Sequence, residues 1–332
     1  MPAPTTYKLE NSNGTNVIIL DYGLTISAFN IVVNGMSRNL VLGFNDPEFY
    51  LSDAYMIKNP YLGNVVGRYA NRIKGGSFDL NGTTFHLPKN NGENTLHGGL
   101  NGFNRKWWTY ISEQSNAQQA VFTYTSQDGE EGFPGQLDIT AIYILKADNS
   151  LSIEYKIYAH NDSVVNLTEH SYFNLNGSGS LINDHSIQAN VKAFLQQDPD
   201  LCPSGHLGAI SEFSKSIVKP TRLEAFLPDG IDTTFVIDKE DGEIVHAGTI
   251  ESGDSLVKLE VWTDAPCLHI YSGAMLPGLK EPNGLSLEPF RGVCMECQGF
   301  TDAVHHPHFQ STLIKAGETQ SRNIIYHPLV NA

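Results

Sequence analysis

The chain has 332 residues, of which 40% are hydrophobic and 17% are charged. This composition supports a large buried core, and the charged fraction lies below the ~25% of an average soluble domain, which excludes a disordered or coiled-coil chain. The formal net charge of −15 argues against nucleic acid and anionic membranes as partners, because both bind basic surfaces.

The N-terminal stretch MPAPTTYKLE has neither the basic nor the apolar segment of a secretory signal. No apolar run approaches the roughly 18 residues that a membrane-spanning helix needs. Four cysteines in a chain of this length do not indicate a disulfide framework. We therefore expect a cytoplasmic protein with reduced thiols.

Apolar and polar residues alternate with a period of two in many stretches, which is typical of strands with one buried face. In GSFDLNGTTFHLP, Asn81-Gly82 separates two short alternating runs and predicts a hairpin. A second hairpin is predicted where GQLDITAIYILKA and SLSIEYKIYAH flank the polar link at 148–150. Further along, SLVKLEVWTD and CLHIYSG predict two more strands, the latter with His269 and Tyr271 on one face.

Amphipathic helical patterns are scarce, and residues 220–226 offer only one short helical turn. With 30 glycines and turn signals between the alternating runs, the pattern predicts an all-β fold, a large antiparallel β-sandwich. No linker, charge block or internal repeat interrupts the chain. We therefore expect residues 1–332 to form a single domain.

The stretch GVCMECQGFTDAVHHPHFQST raises the question of a metal site, because Cys294 and Cys297 have the spacing of a zinc or redox pair and histidines follow. GVCMECQGF, however, has the pattern of a strand, whose side chains alternate between two faces. Cys294 and Glu296 would then share one face and Cys297 would lie on the other, so the sulfurs would diverge. We interpret both cysteines as small buried side chains and predict no metal site, leaving zinc and redox chemistry as the alternatives.

Glu296 is the unusual residue of that strand, because a carboxylate among apolar neighbours is costly to bury without a partner. It is either half of a structural ion pair or a general base in a cleft. A partner acid is available in LTEHSYFNLNGSG, where His170 precedes Tyr172 on the same face of an extended chain. The alternatives are a structural histidine at 170 and core packing for Tyr172.

Five motifs taken together resemble those of the galactose mutarotase, or aldose 1-epimerase, family. They follow the order of that family between about residue 60 and about residue 310: GRYANRI, NTLHGG, HSYFNL, GIDTTF and CMECQGFTDAVHHPHF. The resemblance implies a large antiparallel β-sandwich that interconverts the α and β anomers of an aldohexose, glucose or galactose, without a metal, nucleotide or other cofactor. Opening the sugar ring requires a base at the anomeric hydroxyl and an acid at the ring oxygen, and their roles reverse on closure.

By motif position, the resemblance implies that Glu296 is the general base and His170 the general acid. A carboxyl group with an ordinary pKa of about 4.3 is ionised near neutrality, while an imidazole at about 6.5 is able to keep its proton if stabilised. Within a few ångströms, each would favour the charged form of the other.

The resemblance also implies substrate-binding residues around this pair. Arg72 and His97 would lie near the ring oxygen, and Asp232 would accept hydrogen bonds from sugar hydroxyls. Asn71, Tyr172 and His269 would make further contacts with the sugar. Read alone, Arg72 is equally a surface ion pair, His97 a turn histidine, and Asp232 an Asx turn.

Several positions depart from the usual family pattern. Glu169 precedes His170 where asparagine is frequent, and it either favours the protonated imidazole or faces solvent. GIDTTF lacks the histidine that often follows Asp232, and His269 occupies a position where glutamine is common. FTDAVHHPHF replaces the commoner FPDAVNQPHF, so His305 and His306 are expected to be polar loop residues. These changes bear on the choice of sugar more than on the type of reaction.

Three other functions are alternatives to an active mutarotase. A catalytically weak, lectin-like or sensor protein of the same fold would bind sugar, but binding alone does not need an acid and a base. A hexose-6-phosphate 1-epimerase would need several cations for the phosphate; the acidity of the chain argues against it, although Arg68 and Lys74 are close to Arg72 in sequence. A metal hydrolase would need the cysteines and histidines to converge.

Overall fold

A computed structural model describes residues 2–177, 179–282 and 284–331. In these ranges the chain is built almost entirely of strands joined by turns. The strands are β1 Thr6–Glu10, β2 Asn16–Leu20, β3 Ile26–Val33, β4 Met36–Asn39, β5 Val65–Val66, β6 Arg72–Ile73, β7 Ser77–Leu80, β8 Thr83–His86, β9 Thr95–Leu96, β10 Thr109–Tyr110, β11 Gln119–Ser126, β12 Leu137–Leu145, β13 Leu151–Ala159, β14 Ser163–Val164, β15 Thr168–Glu169, β16 Tyr172–Phe173, β17 Ser186–Ala189, β18 Val191–Gln197, β19 Pro203–Ala209, β20 Thr221–Arg222, β21 Asp232–Ile237, β22 Val245–Glu251, β23 Val257–Thr263, β24 Cys267–Tyr271, β25 Leu279–Lys280, β26 Ser286–Leu287, β27 Val293–Gln298, β28 Leu313–Ile314 and β29 Thr319–Val330.

Helical structure is limited to one α-helix in the described ranges, α1 Asp53–Lys58, and to short 3₁₀ turns. The side chain of Ser52 caps the start of α1 by accepting a hydrogen bond from the Tyr55 backbone N–H, and Asn59 ends it in the left-handed conformation. No helix among these residues is long and apolar enough to cross a bilayer. The 3₁₀ turns are Pro47–Leu51, Lys74–Gly76, Phe103–Arg105, Ser112–Gln114, Glu130–Gly132, Ile210–Glu212, Leu223–Phe226 and Ala303–His305.

Three antiparallel sheets contain most of the strands. The largest has nine strands in the order β10-β11-β12-β13-β29-β23-β22-β17-β20, the second has six in the order β16-β27-β24-β21-β18-β19, and the third is the meander β1-β2-β3-β4. Buried side chains from all three meet in one hydrophobic core, which includes residues from Leu9 to Tyr326. The prediction of an all-β, antiparallel sandwich is confirmed.

The predicted hairpins are present. Leu145 pairs with Leu151 around the link at 148–150, and buried residues alternate with partly exposed ones along both β12 and β13. Leu80 pairs with Thr83 around Asn81-Gly82, where both turn residues have positive φ angles. The short helical turn expected within 220–226 is the 3₁₀ turn Leu223–Phe226.

Strands β21, β24 and β27 are neighbours in the six-stranded sheet and provide its functional face. Their register places Thr234, His269 and Glu296 side by side in one row across the three strands. Side chains in directly opposed positions have Cβ atoms about 4.5–5.5 Å apart and therefore touch. A rigid sheet thus brings together residues that are far apart in sequence.

Alternation along β27 separates its side chains as predicted. Met295 and Cys297 pack into the main core, whereas Cys294 packs in a second apolar cluster that includes Tyr172. Glu296 lies on the same side as Cys294 and faces away from the main core. The two cysteines therefore cannot act together as a C-x-x-C pair.

Glu169, the residue before His170, is fully buried. Its carboxyl group accepts hydrogen bonds from the hydroxyls of Ser171 at 3.0 Å and Tyr155 at 3.3 Å. Burial raises the pKa of Glu169 well above its ordinary value, the charge of Glu296 raises it further, and the two hydroxyls only partly oppose these effects. Of the two alternatives for Glu169, exposure to solvent is wrong, because its side chain is buried and bonded to Ser171 and Tyr155.

The buried carboxyl group of Glu169 predicts a specific pH dependence of stability. The folded protein keeps a proton that the unfolded chain releases above about pH 4.3, so this one group lowers the free energy of unfolding as the pH rises, by at most about 1.4 kcal/mol per pH unit. Glu169→Gln should therefore raise the melting temperature relative to wild type, by an amount that grows between about pH 5 and 8 and vanishes near pH 4.

The measurement is thermal unfolding of both proteins across this pH range. Glu154→Gln is the matched control, because Glu154 lies on the outer face of β13 with its side chain 31% exposed, and its difference from wild type should not grow with pH. A stabilisation by Glu169→Gln that is constant or largest at acid pH would contradict the assignment of a protonated carboxyl group.

Candidate active site

One cavity of about 260 Å³ opens beside the row of Thr234, His269 and Glu296. Its volume lies just below the roughly 300–1,000 Å³ typical of sites for drug-sized ligands, which suits a single small sugar. Every site residue implied by the resemblance lines it. The lining residues are Lys58, Asn59, Pro60, Tyr61, Asn71, Arg72, Asn91, Leu96, His97, His170, Tyr172, Asp232, His269, Tyr271, Met275, Leu276, Pro277 and Glu296.

Glu296 and His170 face each other in the cavity. Nε2 of His170 lies 3.5 Å from Oε1 of Glu296, and both side chains are at least 95% buried. Among the described residues, neither carboxylate oxygen of Glu296 has a hydrogen-bond partner. Burying a carboxylate without hydrogen-bond donors is costly. The two oxygens of Glu296 are therefore available to accept hydrogen bonds from a ligand in the cavity.

Both the backbone and the ring of His170 contact neighbouring residues. The backbone N–H of His170 donates to the carbonyl of Asn64 at 3.0 Å, and Nδ1 of its ring lies 3.5 Å from the sulfur of Cys294. The ring of Tyr172 lies 5.1 Å from the imidazole, and the Tyr172 hydroxyl donates to the carbonyl of Pro60. Tyr172 therefore offers the cavity its ring rather than its hydroxyl. The sequence suggested a strand through His170, but His170 lies between the short strands β15 and β16.

His97 contributes a neutral imidazole to the cavity. Burial lowers its pKa well below the usual value, and the nearby His170, Arg72 and His269 lower it further. The backbone N–H of Asn71 donates to its Nδ1 at 3.2 Å, so the ring proton lies on Nε2. The backbone next to His97 packs closely against the backbone at Gly67. Only glycine fits at position 98, because a Cβ atom there would lie 2.0 Å from the carbonyl oxygen of Gly67.

Arg72 is a buried cation, not a surface residue, with only 6% of its area exposed. Its Nε donates to the side-chain oxygen of Asn91 at 3.0 Å, and one terminal nitrogen lies 3.3 Å from the side-chain oxygen of Asn71. These neutral acceptors orient the guanidinium group without neutralising it. Its charge therefore remains available to the cavity.

Asp232 and His269 form a second pair, with Oδ1 and Nε2 3.1 Å apart. Burial acts to raise the pKa of Asp232, but the hydrogen bond and charge of His269 outweigh it, and the pKa lies below its ordinary value. Burial likewise acts to lower the pKa of His269, but Asp232 and Glu296 raise it on balance. Asp232 is therefore ionised near neutral pH and able to accept hydrogen bonds.

Three side chains of the cavity are close enough together to be considered as ligands of a metal ion. In the ranges that the structure describes, His97, His170 and Glu296 are the group of potential ligands with ligand atoms within 4.8 Å of one another. The hydrogen bond from Asn71 occupies Nδ1 of His97 and leaves the proton on Nε2, so this ring has no free lone pair to offer a cation. The donor set suits a polar ligand that accepts a hydrogen bond from His97 better than it suits a metal.

The histidine loop after Glu296 lies apart from the cavity lining. His305 Nδ1 lies 2.7 Å from one carboxylate oxygen of the buried Asp302, and His306 Nε2 lies 3.6 Å from the other. His308 bonds to the carbonyl of Gly205. All three are thus held by contacts within and beside the loop, and for His305 and His306 this agrees with the prediction of polar loop residues.

Two functional neighbours were not identified from the sequence. Asn91 orients Arg72 from the turn before β9, and the ring of Tyr61 lies 4.5 Å from the ring of His97. Both come from irregular segments with no periodic pattern. For Asn91 the available signal was the high density of asparagine in KNNGENTLHGG, which is equally typical of turns.

Comparison with known protein families gives a match over nearly the whole chain. The family model described as aldose 1-epimerase matches residues 5–327. The galactose mutarotase of Bos taurus is 38% identical over 314 residues, covering 92% of this chain and 89% of the relative. The aldose 1-epimerase of Escherichia coli K12 is 32% identical over 325 residues, covering 94% and 92%.

Solved structures support the same fold. An aldose epimerase homologue from C. elegans superposes with a TM-score of 0.89 at 23% identity, covering 99% of this chain and all of the other. A galactose 1-epimerase from Lactobacillus acidophilus gives a TM-score of 0.83, also at 23% identity, covering 99% and 95%. The family model and the sequence relatives show that this chain is an isomerase that belongs to the aldose 1-epimerase family.

Proposed function

We propose that the protein interconverts the α and β anomers of free glucose or galactose, with Glu296 as general base and His170 as general acid. The observation that carries the proposal is the buried carboxylate of Glu296. Its oxygens lack hydrogen-bond partners among the described residues, and it faces the imidazole of His170 at 3.5 Å across a cavity. A purely structural ion pair would have its remaining acceptors satisfied.

In this mechanism the sugar gives one proton to Glu296 and takes another from His170. Glu296 removes the proton of the anomeric hydroxyl, the bond between the anomeric carbon and the ring oxygen breaks, and the ring oxygen takes a proton from His170. The open-chain aldehyde then turns about its first carbon–carbon bond. On closure, His170 takes back the proton as the ring oxygen attacks the aldehyde, and Glu296 returns its proton to the anomeric oxygen. No step requires a metal or another cofactor.

The other polar residues hold the sugar for these transfers. Neutral His97 donates from Nε2, and the Arg72 guanidinium adds positive charge where the ring oxygen gains electron density. The ionised Asp232 accepts hydrogen bonds from sugar hydroxyls, and Asn71 provides a further polar contact. Tyr172 supports the imidazole of His170 with its ring. His269 borders the same space beside Asp232.

Two wider features support further parts of the proposal. The main core contains residues from Leu9 to Tyr326, in keeping with one domain over residues 1–332. All four cysteines are buried free thiols, which fits a reducing compartment, and we propose a cytoplasmic location.

Removing either proton-transfer group should nearly abolish catalysis. We expect Glu296→Gln and His170→Asn each to lower kcat by about 10²–10⁴-fold, the usual contribution of a positioned acid or base. Polarimetry of freshly dissolved α-D-glucose and α-D-galactose measures the rate directly. Glu154→Gln is the control, because it makes the same exchange on the outer face of β13, away from the cavity. Full activity in Glu296→Gln would refute the assignment.

The cavity also predicts a preference for unphosphorylated sugars. Arg68 is fully buried and donates to the carbonyls of Pro134 and Gly135, while Lys74 pairs with Asp198, so neither adds to the two cations of the cavity lining, Arg72 and Lys58. We therefore expect kcat/KM for glucose to exceed that for glucose 6-phosphate, and a chelator to leave both unchanged. A higher kcat/KM for the phosphate would favour a hexose-6-phosphate epimerase, and loss of activity with chelator would favour a metal enzyme.

A further inference from the structure

His269 has both ring nitrogens engaged within the protein. Nε2 lies 3.1 Å from Oδ1 of Asp232, and Nδ1 lies 2.9 Å from the hydroxyl of Thr234. The side-chain nitrogen of Asn71 is also 3.3 Å from Nδ1. The side chain is 5% exposed, and because both nitrogens are engaged it has no spare N–H to offer a sugar. Its most direct effect on a bound sugar is exerted through Asp232.

The hydroxyl of Thr234 belongs to a longer chain of hydrogen bonds. It lies 3.1 Å from the hydroxyl of Thr301, which in turn accepts a hydrogen bond from the side-chain amide of Gln298 at 3.0 Å. Thr234, Thr301 and Gln298 are all nearly or fully buried. Because Gln298 donates to Thr301, the Thr301 hydroxyl is free to donate to Thr234, whose own hydroxyl then donates to Nδ1 of His269.

This direction of the chain sets the tautomer of the neutral imidazole. Nδ1 receives hydrogen bonds from Thr234 and from the amide of Asn71, so the proton lies on Nε2 and points at Asp232. Asp232 is the first residue of β21 and is the least buried member of this group, with its side chain 23% exposed. Without the bond from His269, its carboxylate would be free to adopt other rotamers.

We propose that Thr234, supported by Thr301 and Gln298, is a positioning residue that fixes His269 and thereby aims Asp232 at the hydroxyls of the bound sugar. Thr234 in the GIDTTF motif and His269, which stands where glutamine is common in the family, are directly opposed across β21 and β24 and act as one unit. This inference rests on the proposed function, since it assigns Asp232 to sugar binding. It separates residues that hold the sugar from the pair that moves protons.

The test uses two substitutions at one position. Thr234→Val removes the hydroxyl but keeps the branched shape, and Thr234→Ser keeps the hydroxyl. We expect Thr234→Val to weaken galactose binding and raise KM by about five- to tenfold, as for a lost hydrogen bond, with kcat changed less than about twofold. Thr234→Ser should remain within about twofold of wild type. Calorimetry with galactose and polarimetry give the two sets of values, and thermal unfolding verifies folding.

A second readout does not depend on turnover. The ¹⁵N shifts of the His269 ring, measured at a pH where it is neutral, report which nitrogen carries the proton. Wild type and Thr234→Ser should show the proton on Nε2, and Thr234→Val should show a mixture of tautomers. A Thr234→Val protein with wild-type affinity and tautomer would overturn the inference, as would a loss confined to kcat or equal losses in both variants. Wild-type protein that binds galactose without turnover would defeat only the proposed function, and wild-type protein that binds no aldose would defeat both.

Discussion

The site depends on keeping a carboxylate, Glu296, in a buried position opposite an imidazole. Burying such a charge is unfavourable unless compensation is close, and here His170 at 3.5 Å supplies it. The rest of the fold serves this arrangement. The pairing of β24 with β27 fixes the position of Glu296. The segment between β15 and β16, anchored by the pairing of β16 with β27, places His170 opposite it. The sheet holds Glu296 more rigidly than a loop would, and short strands on both sides of His170 anchor the segment that carries it.

The charges around this pair divide into distinct roles. Asp232 and His269 form a hydrogen-bonded pair in the proposed sugar-holding group, while Arg72 is oriented by the neutral side chains of Asn91 and Asn71. His97 remains neutral because burial and neighbouring cations disfavour its protonated form. In the proposed mechanism the cavity presents a proton acceptor, a proton donor, a neutral hydrogen-bond donor and a fixed cation, which together match the polar atoms of a hemiacetal ring. Glu169, buried behind the site, adds a carboxyl group that burial keeps protonated.

Much of this architecture could be predicted from sequence, because period-two alternation is local information. The alternation identified β12, β13, β23, β24 and β27, and it placed Cys294 and Cys297 on opposite faces of β27. The meeting of the site residues in one cavity was expected from the motifs. The features that could not be predicted arise from contacts between distant parts of the chain. They are the burial of Glu169, the hydrogen bond from Arg72 to Asn91, and the contact between Thr234 and His269, which are 35 residues apart in sequence. Such contacts depend on strand register and loop geometry, and neither produces a periodic pattern in the sequence.

The most direct test of the central claim is whether Glu296 and His170 act as one unit. Two-dimensional exchange NMR on galactose labelled with ¹³C at the anomeric carbon measures the α–β exchange rate at equilibrium, so a double-mutant cycle can be completed under one condition. If one proton must leave and another must arrive in the same turnover, the double variant Glu296→Gln/His170→Asn should be scarcely slower than the slower single variant. Losses that multiply in the double variant would show independent contributions and would contradict the account of a coupled acid and base.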